Sequence, residues 1–178
     1  MSGAQGEAPR HAVVTGAAGG IGQVLVAEFE RAGYRVIATD LHPPPAGLMC
    51  SRFLQVDVER TVADEAYATE VFNEIRHEIG EHGLEVLINN AAVQILGGID
   101  TLTRADWRVT LDVNLVAPFV WTQALLPGLE RARGNVINIS SIHARLTKRG
   151  FVAYATSKAA LSGMTRALAV DLGDRVRV

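Results

Sequence analysis

Cysteine and long apolar runs are scarce in this sequence, and their scarcity excludes several classes of protein. Among its 178 residues there is a single cysteine, Cys50, which cannot form an internal disulfide, and no group of Cys and His has the paired spacing of a zinc site. No stretch of about 18 apolar residues is present, and residues 1–10 do not have the basic-then-apolar order of a secretory signal. We therefore expect a cytoplasmic protein without a membrane span or a metal site, and with a disordered tail over residues 1–10.

The sequence also lacks an excess of positive charge. Its 17 Lys and Arg side chains stand against 19 Asp and Glu, which gives a formal net charge of −2. Binding to nucleic acid or to an anionic membrane surface requires a basic excess, so we expect neither as a partner and favour small molecules. Apolar residues make up 48% of the chain, enough for the core of one domain, which is predicted over residues 11–178.

Short runs rich in β-branched residues alternate with longer amphipathic stretches along the chain. This alternation is typical of βαβ units and predicts the α/β class, with a Rossmann-type, doubly wound parallel sheet in a single domain. The run over residues 85–89 is apolar throughout, as expected for a central strand covered on both faces. The predicted strands are 11–15, 35–40, 52–56, 85–89 and 135–140, and the predicted helices are 20–32, 61–82, 104–126 and 153–172.

Local signals mark the ends of some of these elements. Thr61 with Asp64, and Thr103 with Asp106, have the spacing of a capping box at the starts of the second and third helices. Residues 175–178 have the composition expected where a strand begins, so they predict the opening of a sixth strand.

A glycine-rich segment, TGAAGGIG from Thr15 to Gly22, lies where the first strand turns into the first helix. At such a turn the backbone N–H groups and the helix N-terminus can face a pyrophosphate, and glycine lets the backbone approach it closely. A plain strand-to-helix turn also uses glycine, so the segment alone leaves both interpretations open. The candidate cofactor contacts in this segment are Gly16, Gly20, Ile21 and Gly22.

Asp40 closes the predicted second strand, 18 residues after Gly22. A carboxylate at this position can accept hydrogen bonds from both ribose hydroxyls of an adenosine, whereas a 2′-phosphate would meet like charge. The glycine-rich segment contains no Arg or Lys to receive that phosphate, so NAD is favoured over NADP. The alternative is that Asp40 only begins a loop.

Tyr154 and Lys158 are four residues apart in the last predicted helix and therefore share one of its faces. A free tyrosine titrates at about pH 10, and a nearby positive charge lowers the pKa of a phenol, which suits it to proton transfer near neutrality. Ser140 and Ser141 end the fifth strand, at the carboxyl edge where doubly wound sheets bind ligands. An exposed tyrosine beside an unrelated lysine remains the alternative.

The glycine-rich segment, the asparagines at 89 and 90, and the Tyr-x-x-x-Lys pair follow one another in an order that resembles the short-chain dehydrogenase/reductase family. The resemblance implies that Tyr154 is the acid/base and that Lys158 lowers its pKa and holds the nicotinamide ribose. Family spacing selects Ser141, 13 residues before the tyrosine, as the hydroxyl that positions the substrate oxygen, and leaves Ser140 structural. It also assigns Asn114 to a proton relay that runs through water to the lysine.

The resemblance extends to two further pairs of cofactor contacts. It implies that Asp57 and Val58 contact the adenine, although capping of a helix by Asp57 is an equally good interpretation. It also implies that Asn90 and Ala91 contact the cofactor. The alternative is that these amides tie adjacent strands together, and it applies to Asn89 as well. The segment ends in alanine at position 92, where the family has glycine.

Asn114 has a local physical reason to be unusual. Pro118, four residues later, has no N–H, so the Asn114 carbonyl cannot make its intrahelical hydrogen bond and the helix should bend there. We hypothesise that the freed carbonyl holds a water.

The sequence thus predicts an NAD-dependent oxidoreductase that interconverts a secondary alcohol and a ketone by hydride transfer. Two alternatives stay open: a non-catalytic NAD-binding regulatory module, and an inactive, truncated family member. The second arises because the family's last strand and substrate lid have no counterpart here, and it predicts weak NAD binding and low turnover.

Two features of the predicted surface are left open. His143, Arg145, Lys148 and Arg149 form a cationic loop that could receive an acidic or phosphorylated substrate, although loops are commonly polar because they are solvated. The family's usual subunit contact involves the helices near 104–126 and 153–172, so we expect a homodimer or homotetramer.

Overall fold

A five-stranded parallel sheet forms the centre of the computed structural model, which describes residues 8–178. The predicted tail over residues 1–10 falls mainly on residues 1–7, outside the described residues, whereas Arg10 already belongs to the first strand. The strands are β1 Arg10–Thr15, β2 Tyr34–Asp40, β3 Arg52–Gln55, β4 Val86–Asn89 and β5 Asn135–Asn138. The helices are α1 Gly20–Arg31, α2 Arg60–Ala63, α3 Glu65–Ile79, α4 Arg104–Leu111, α5 Ala117–Ala132 and α6 Val152–Leu172.

The strand order is β3-β2-β1-β4-β5, and every pairing is parallel. This confirms the Rossmann-type, doubly wound sheet in a single domain that the alternation of patterns predicts. From β1 the chain adds β2 and then β3 on one side of the sheet. It then crosses back and adds β4 and β5 on the other side of β1. Between β1 and β4 the loops that follow the strands therefore diverge and leave a crevice at the carboxyl edge.

Successive residues of the central strands point to two separate apolar layers. In β1, Val13 packs with the layer beneath α3 and α5, while Ala12 and Val14 pack with the layer beneath α1. The larger layer includes Trp121 of α5, whose ring meets Phe72 of α3 edge-on at a centroid distance of 5.3 Å. Burial on both faces explains why these strands are apolar throughout.

The predicted helix over residues 61–82 is divided, and the capping box predicted at its start is wrong. Asp64 has extended backbone angles, φ −128° and ψ 100°, and its side chain accepts a hydrogen bond from the Tyr67 N–H at 3.0 Å, so it begins α3. Thr61 does not cap. Its hydroxyl donates to the Val58 carbonyl at 2.7 Å and accepts from the buried indole N–H of Trp121 at 3.0 Å. Satisfying that indole in the core outweighs the local capping pattern.

The predicted helix over residues 104–126 begins as expected but continues to Ala132. Thr103 and Asp106 form the predicted capping box, and Pro127 is accommodated inside α5 instead of ending it. A π-helical turn, Asp112–Val116, joins α4 to α5. The run Arg104–Ala132 is long and apolar enough to cross a membrane by length and composition alone, and 44% of its most apolar window is buried in the fold.

The final residues pair with the edge of the sheet. Arg177 lies beside Asn135 in a parallel bridge; its N–H donates to the Gly134 carbonyl at 3.0 Å, and its carbonyl accepts from the Val136 N–H at 2.8 Å. This single bridge agrees with the predicted opening of a sixth strand and places it next to β5. β5 itself ends at Asn138, two residues earlier than predicted.

His11 gives the fold a pH-dependent stability. The side chain is only 1% exposed, neither ring nitrogen has a hydrogen-bond partner within residues 8–178, and burial lowers the pKa of His11 below its usual 6.5. As the pH falls below about 6.5, His11 takes up a proton in the unfolded chain but not in the folded one. The free energy of unfolding therefore decreases as the pH falls.

We expect His11→Leu to flatten this dependence. Urea unfolding between pH 5 and pH 8 should show a slope up to about 1.4 kcal/mol per pH unit smaller than in the wild type. His77→Gln, which changes an exposed histidine of α3, is the control and should leave the slope unchanged. Equal slopes for His11→Leu and wild type would contradict this account.

Candidate active site

A cavity of about 550 Å³ opens at the crevice between β1 and β4. This volume lies in the range of small-molecule sites, about 300–1,000 Å³. The cavity runs across the carboxyl edge of the sheet from the end of β2 to the loop after β4. All the predicted cofactor contacts outside α6 line it: Gly16, Gly20, Ile21, Gly22, Asp40, Asp57, Val58, Asn90 and Ala91.

The glycine-rich segment packs too closely for side chains at two of its positions. Gly16 has φ +66°, and a Cβ there would lie 2.8 Å from the Cα of Ala91. A Cβ on Gly22 would lie 2.1 Å from the carbonyl oxygen of Gly16. The first turn of α1 carries no side-chain cap, so its N–H groups are left for a ligand. A backbone cradle at a helix N-terminus fits a bound pyrophosphate.

Asp40 is nearly buried at the end of β2 and faces the cavity. One carboxylate oxygen accepts a hydrogen bond from the Ala18 N–H at 2.9 Å, and the other accepts from the His42 N–H at 2.9 Å. The carboxylate thus shapes the start of the following loop, as the alternative interpretation holds. Each oxygen keeps further acceptor capacity, so the group can also bind hydroxyls.

Asp57 caps a helix and also lines the cavity, while its contact with adenine stays a prediction. Its side chain accepts hydrogen bonds from the N–H groups of Glu59 at 2.9 Å and Arg60 at 3.3 Å, which caps the start of α2. Asp57 and Val58 also line the cavity at the far side of Asp40.

The asparagines after β4 act mainly as structural ties. The Asn90 side-chain amide donates to the carbonyls of Thr15 at 2.9 Å and Gly16 at 3.0 Å, and so joins the loop after β4 to the glycine-rich segment. Asn89 donates to Asn138 at 2.8 Å and joins β4 to β5. The structure therefore shows for both asparagines the tying role considered as the alternative, and the contact of Asn90 with cofactor stays a prediction.

Asn114 is fully buried in the π-helical turn, and its side chain is completely engaged. The amide oxygen accepts from the Val93 N–H at 2.8 Å, and the amide nitrogen donates to the Val93 carbonyl at 2.9 Å and to the Ser157 hydroxyl at 3.0 Å. The helix irregularity predicted from Pro118 is present as this π-helical turn. A water on the Asn114 carbonyl stays a prediction.

Ser140 and Ser141 have different surroundings. The Ser140 hydroxyl lies 2.9 Å from that of Ser162 on α6, in keeping with a structural role. The Ser141 hydroxyl accepts from the His143 N–H at 3.2 Å and starts a 3₁₀ turn, Ile142–Ala144, that packs against α6. Because its oxygen accepts there, the Ser141 hydrogen remains available for a substrate oxygen.

Tyr154 and Lys158 lie one turn apart in α6, and the Lys158 ammonium is 6.0 Å from the centre of the Tyr154 ring. Lys158 is 2% exposed and donates to the Ile139 carbonyl at 2.8 Å. Burial lowers the pKa of Lys158 from 10.5 to about 8, so the ammonium is still the main form at neutral pH. The Tyr154 hydroxyl has no hydrogen-bond partner within residues 8–178, which leaves it free for substrate.

A chain of hydrogen bonds connects the cavity wall to α6. Val93 lines the cavity and is held by Asn114, and Asn114 is held in turn by Ser157, whose hydroxyl donates to the Tyr154 carbonyl at 2.8 Å. Tyr154, Lys158 and Ser141 are not among the residues that line the cavity, so their predicted contacts with cofactor and substrate stay predictions. The sequence analysis did not identify Val93 or Ser157. The three-residue spacing of Ser157 from Tyr154 could have indicated Ser157, and no signal in the sequence indicated Val93.

Fold and motifs agree with the comparison to known families. The chain belongs to the short chain dehydrogenase family, whose sequence profile matches residues 10–178, and it is therefore a member of a family of oxidoreductases. It is 34% identical over 173 residues to acetoacetyl-CoA reductase of Cupriavidus necator, covering 93% of this chain and 70% of that enzyme. It is 36% identical over 177 residues to D-xylose 1-dehydrogenase of Caulobacter vibrioides, covering 95% of this chain and 68% of that enzyme.

Solved structures show the same architecture. An oxidoreductase of this family from Brucella ovis, in complex with a partially ordered NAD, superposes with a TM-score of 0.86 at 31% identity and covers 96% of this chain and 81% of that one. A 4-hydroxyisoleucine dehydrogenase complexed with NADH superposes with a TM-score of 0.83 at 26% identity, covering 95% of this chain and 72% of that one.

Proposed function

We propose that this protein is an NAD-dependent oxidoreductase that interconverts a secondary alcohol and a ketone, with Tyr154 as the acid/base. The observation that carries the proposal is the pairing of a free phenol at Tyr154 with the buried ammonium of Lys158, in a fold that also contains a cavity lined by a glycine cradle. Relatives named as reductases and dehydrogenases, and family structures that contain NAD or NADH, support the same function.

The residues that would hold the dinucleotide are distributed along the cavity. Backbone N–H groups from Gly20 to Gly22 would receive the pyrophosphate, Asp40 the adenosine ribose, and Asp57 with Val58 the adenine. When bound, the nicotinamide supplies the chemistry of accepting or giving a hydride.

The remaining residues would handle the proton and the oxygen. In the oxidation direction the Tyr154 phenolate takes the proton of the substrate hydroxyl, and in reduction the phenol returns it. The Lys158 ammonium stabilises negative charge that develops on the Tyr154 oxygen during proton transfer, and the Ser141 hydroxyl donates a hydrogen bond to the substrate oxygen and stabilises charge there. Asn114 holds α6 and the loop at Val93 in a fixed position relative to each other through its hydrogen bonds to Ser157 and Val93.

NADH absorbance measured across a panel of secondary alcohols and ketones tests this function. We expect turnover with some members of the panel and NAD as the coenzyme. Binding of NAD without turnover of any member would instead support a regulatory module that senses the nucleotide.

The preference for NAD over NADP should depend on the charge of Asp40. We expect Asp40→Asn to raise the ratio of kcat/KM for NADP to that for NAD by about 10- to 100-fold, because a like charge next to a 2′-phosphate costs a few kcal/mol at intermediate dielectric. Asp171→Asn, an exposed change on α6, is the control. An unchanged ratio in Asp40→Asn would show that another group selects the coenzyme.

A further inference from the structure

The loop between Ser141 and α6 concentrates positive charge that the proposed reaction does not use. Residues 142–150 read IHARLTKRG and contain no Asp or Glu, although the whole chain has a formal net charge of −2. Arg145, Lys148 and Arg149 all lie in this segment, hereafter the cationic loop, and all three are exposed.

These three cations have no carboxylate within ion-pair distance among residues 8–178, whereas six arginines elsewhere on the surface are paired. The pairs join arginine to glutamate or aspartate across neighbouring elements or along one helix, and they are Arg10–Glu85, Arg31–Glu28, Arg35–Glu78, Arg52–Glu74, Arg60–Asp64 and Arg175–Glu130. Unneutralised charge beside a cleft raises the local concentration of anions. With three unpaired cations within five residues, the cationic loop therefore concentrates positive charge beside Tyr154.

Aromatic packing holds the cationic loop next to the reacting hydroxyls. The His143 ring stacks on Phe151 at a centroid distance of 4.2 Å and meets the Tyr154 ring edge-on at 6.1 Å. Lys148 lies on the loop that begins at Ser141, and its ammonium is 4.8 Å from the centre of the same Phe151 ring. The Nδ1 atom of His143 is buried and has no hydrogen-bond partner within the described part of the chain.

The same loop also presents apolar surface. Ile142 and Leu146 are each 69% exposed, and they lie one turn apart because the Leu146 N–H donates to the Ile142 carbonyl at 2.9 Å. The far end of the loop is tied to the segment after β4, since the Gly97 N–H donates to the Gly150 carbonyl at 2.8 Å. Cationic and apolar groups are thus held together on a tethered segment beside Tyr154.

We propose that the substrate is an anionic hydroxy or keto compound whose carboxylate or phosphate binds the cationic loop while its short apolar body lies on Ile142 and Leu146. This assignment rests on the proposed function and names its substrate class. Charge at one end would orient the carbinol carbon toward Tyr154 and Ser141, because an anion fixed by several cations cannot exchange ends with an apolar group.

Binding in the presence of NADH tests the assignment without requiring turnover. Isothermal titration of the protein with butanoate, butyl phosphate and the neutral butanamide compares two anions with a probe of similar shape. We expect at least one anion to bind about tenfold or more tightly than the amide, and the better anion identifies carboxylate or phosphate.

The loop variant Arg145→Gln/Lys148→Gln/Arg149→Gln should lose this preference. The control Arg31→Gln/Arg52→Gln/Arg166→Gln removes the same number of charges at remote surface positions and should keep it. Equal affinity for anion and amide in the wild type, or a preference that survives in the loop variant, would overturn the assignment.

Parallel measurement of NADH-linked turnover separates the two proposals. Turnover of neutral alcohols without any preference for anions would leave the dehydrogenase function in place and remove the substrate class. Anion binding without turnover of any panel member would contradict the function itself and retain only an anion site.

Discussion

Tyr154→Phe is expected to lower kcat by about 10²- to 10⁴-fold while leaving the affinity for NAD nearly unchanged, because it removes the group that exchanges the proton. The Tyr154 ring meets His143 and Phe151 edge-on at 6.1 and 6.2 Å, and phenylalanine preserves both contacts. The lost hydroxyl has no partner within residues 8–178, so stability should change by no more than about 0.5 kcal/mol. Steady-state kinetics, NAD titration and urea unfolding measure the three quantities.

Tyr34→Phe is the matched control for this prediction. Tyr34 begins β2 at the edge of the sheet opposite the cavity, and its ring packs edge-on against Phe29 at 5.1 Å. The change removes the same hydroxyl from a remote position, so kcat should stay at the wild-type value. A Tyr154→Phe variant with wild-type kcat would remove Tyr154 from the chemistry and leave only the nucleotide-binding scaffold.

Sheet topology and the nucleotide-binding segment were predictable because their signals are local. A β-branched run followed by glycines and an amphipathic helix specifies a strand, a tight turn and a helix without reference to the rest of the chain. Gly16 and Gly22 appear in the sequence as a motif, and the structure supplies the reason: a Cβ at either position would collide with backbone atoms.

Features that depend on distant partners were not predictable. Asp64 interrupts a helical pattern because Thr61, which the pattern assigns to a cap, bonds instead to an indole 60 residues away. The Asn114 side chain is engaged by Val93 and by Ser157, 21 and 43 residues distant. No periodicity encodes such pairs, since tertiary packing selects them after the local elements have formed.

Lys158→Met should abolish most of the activity and, in the opposite direction, stabilise the fold. The wild-type ammonium is buried, and its only hydrogen-bond partner among the described residues is the Ile139 carbonyl at 2.8 Å. Burying a charge without a carboxylate opposes folding, and methionine fills a similar volume without that charge. We expect the free energy of unfolding at pH 7 to rise by roughly 1–3 kcal/mol while kcat falls by about 10²-fold or more. Lys148→Met, on the exposed loop, should leave stability within about 0.5 kcal/mol of wild type.

The pH dependence of stability distinguishes this cause from a change in packing. The pKa of Lys158 is about 8 in the folded protein and 10.5 as the ordinary value, so between these limits the unfolded chain holds a proton that the folded chain has released. The free energy of unfolding of the wild type should therefore rise as the pH increases from 8 toward 10.5. Below pH 8 the buried ammonium destabilises the fold by its full amount. Lys158→Met should lack this rise and should lose its advantage over wild type at high pH. A Lys158→Met variant that is less stable than wild type at pH 7, or whose advantage does not shrink at high pH, would contradict this account. Either result would show that the ammonium of Lys158 is favourably solvated in the fold and does not destabilise it.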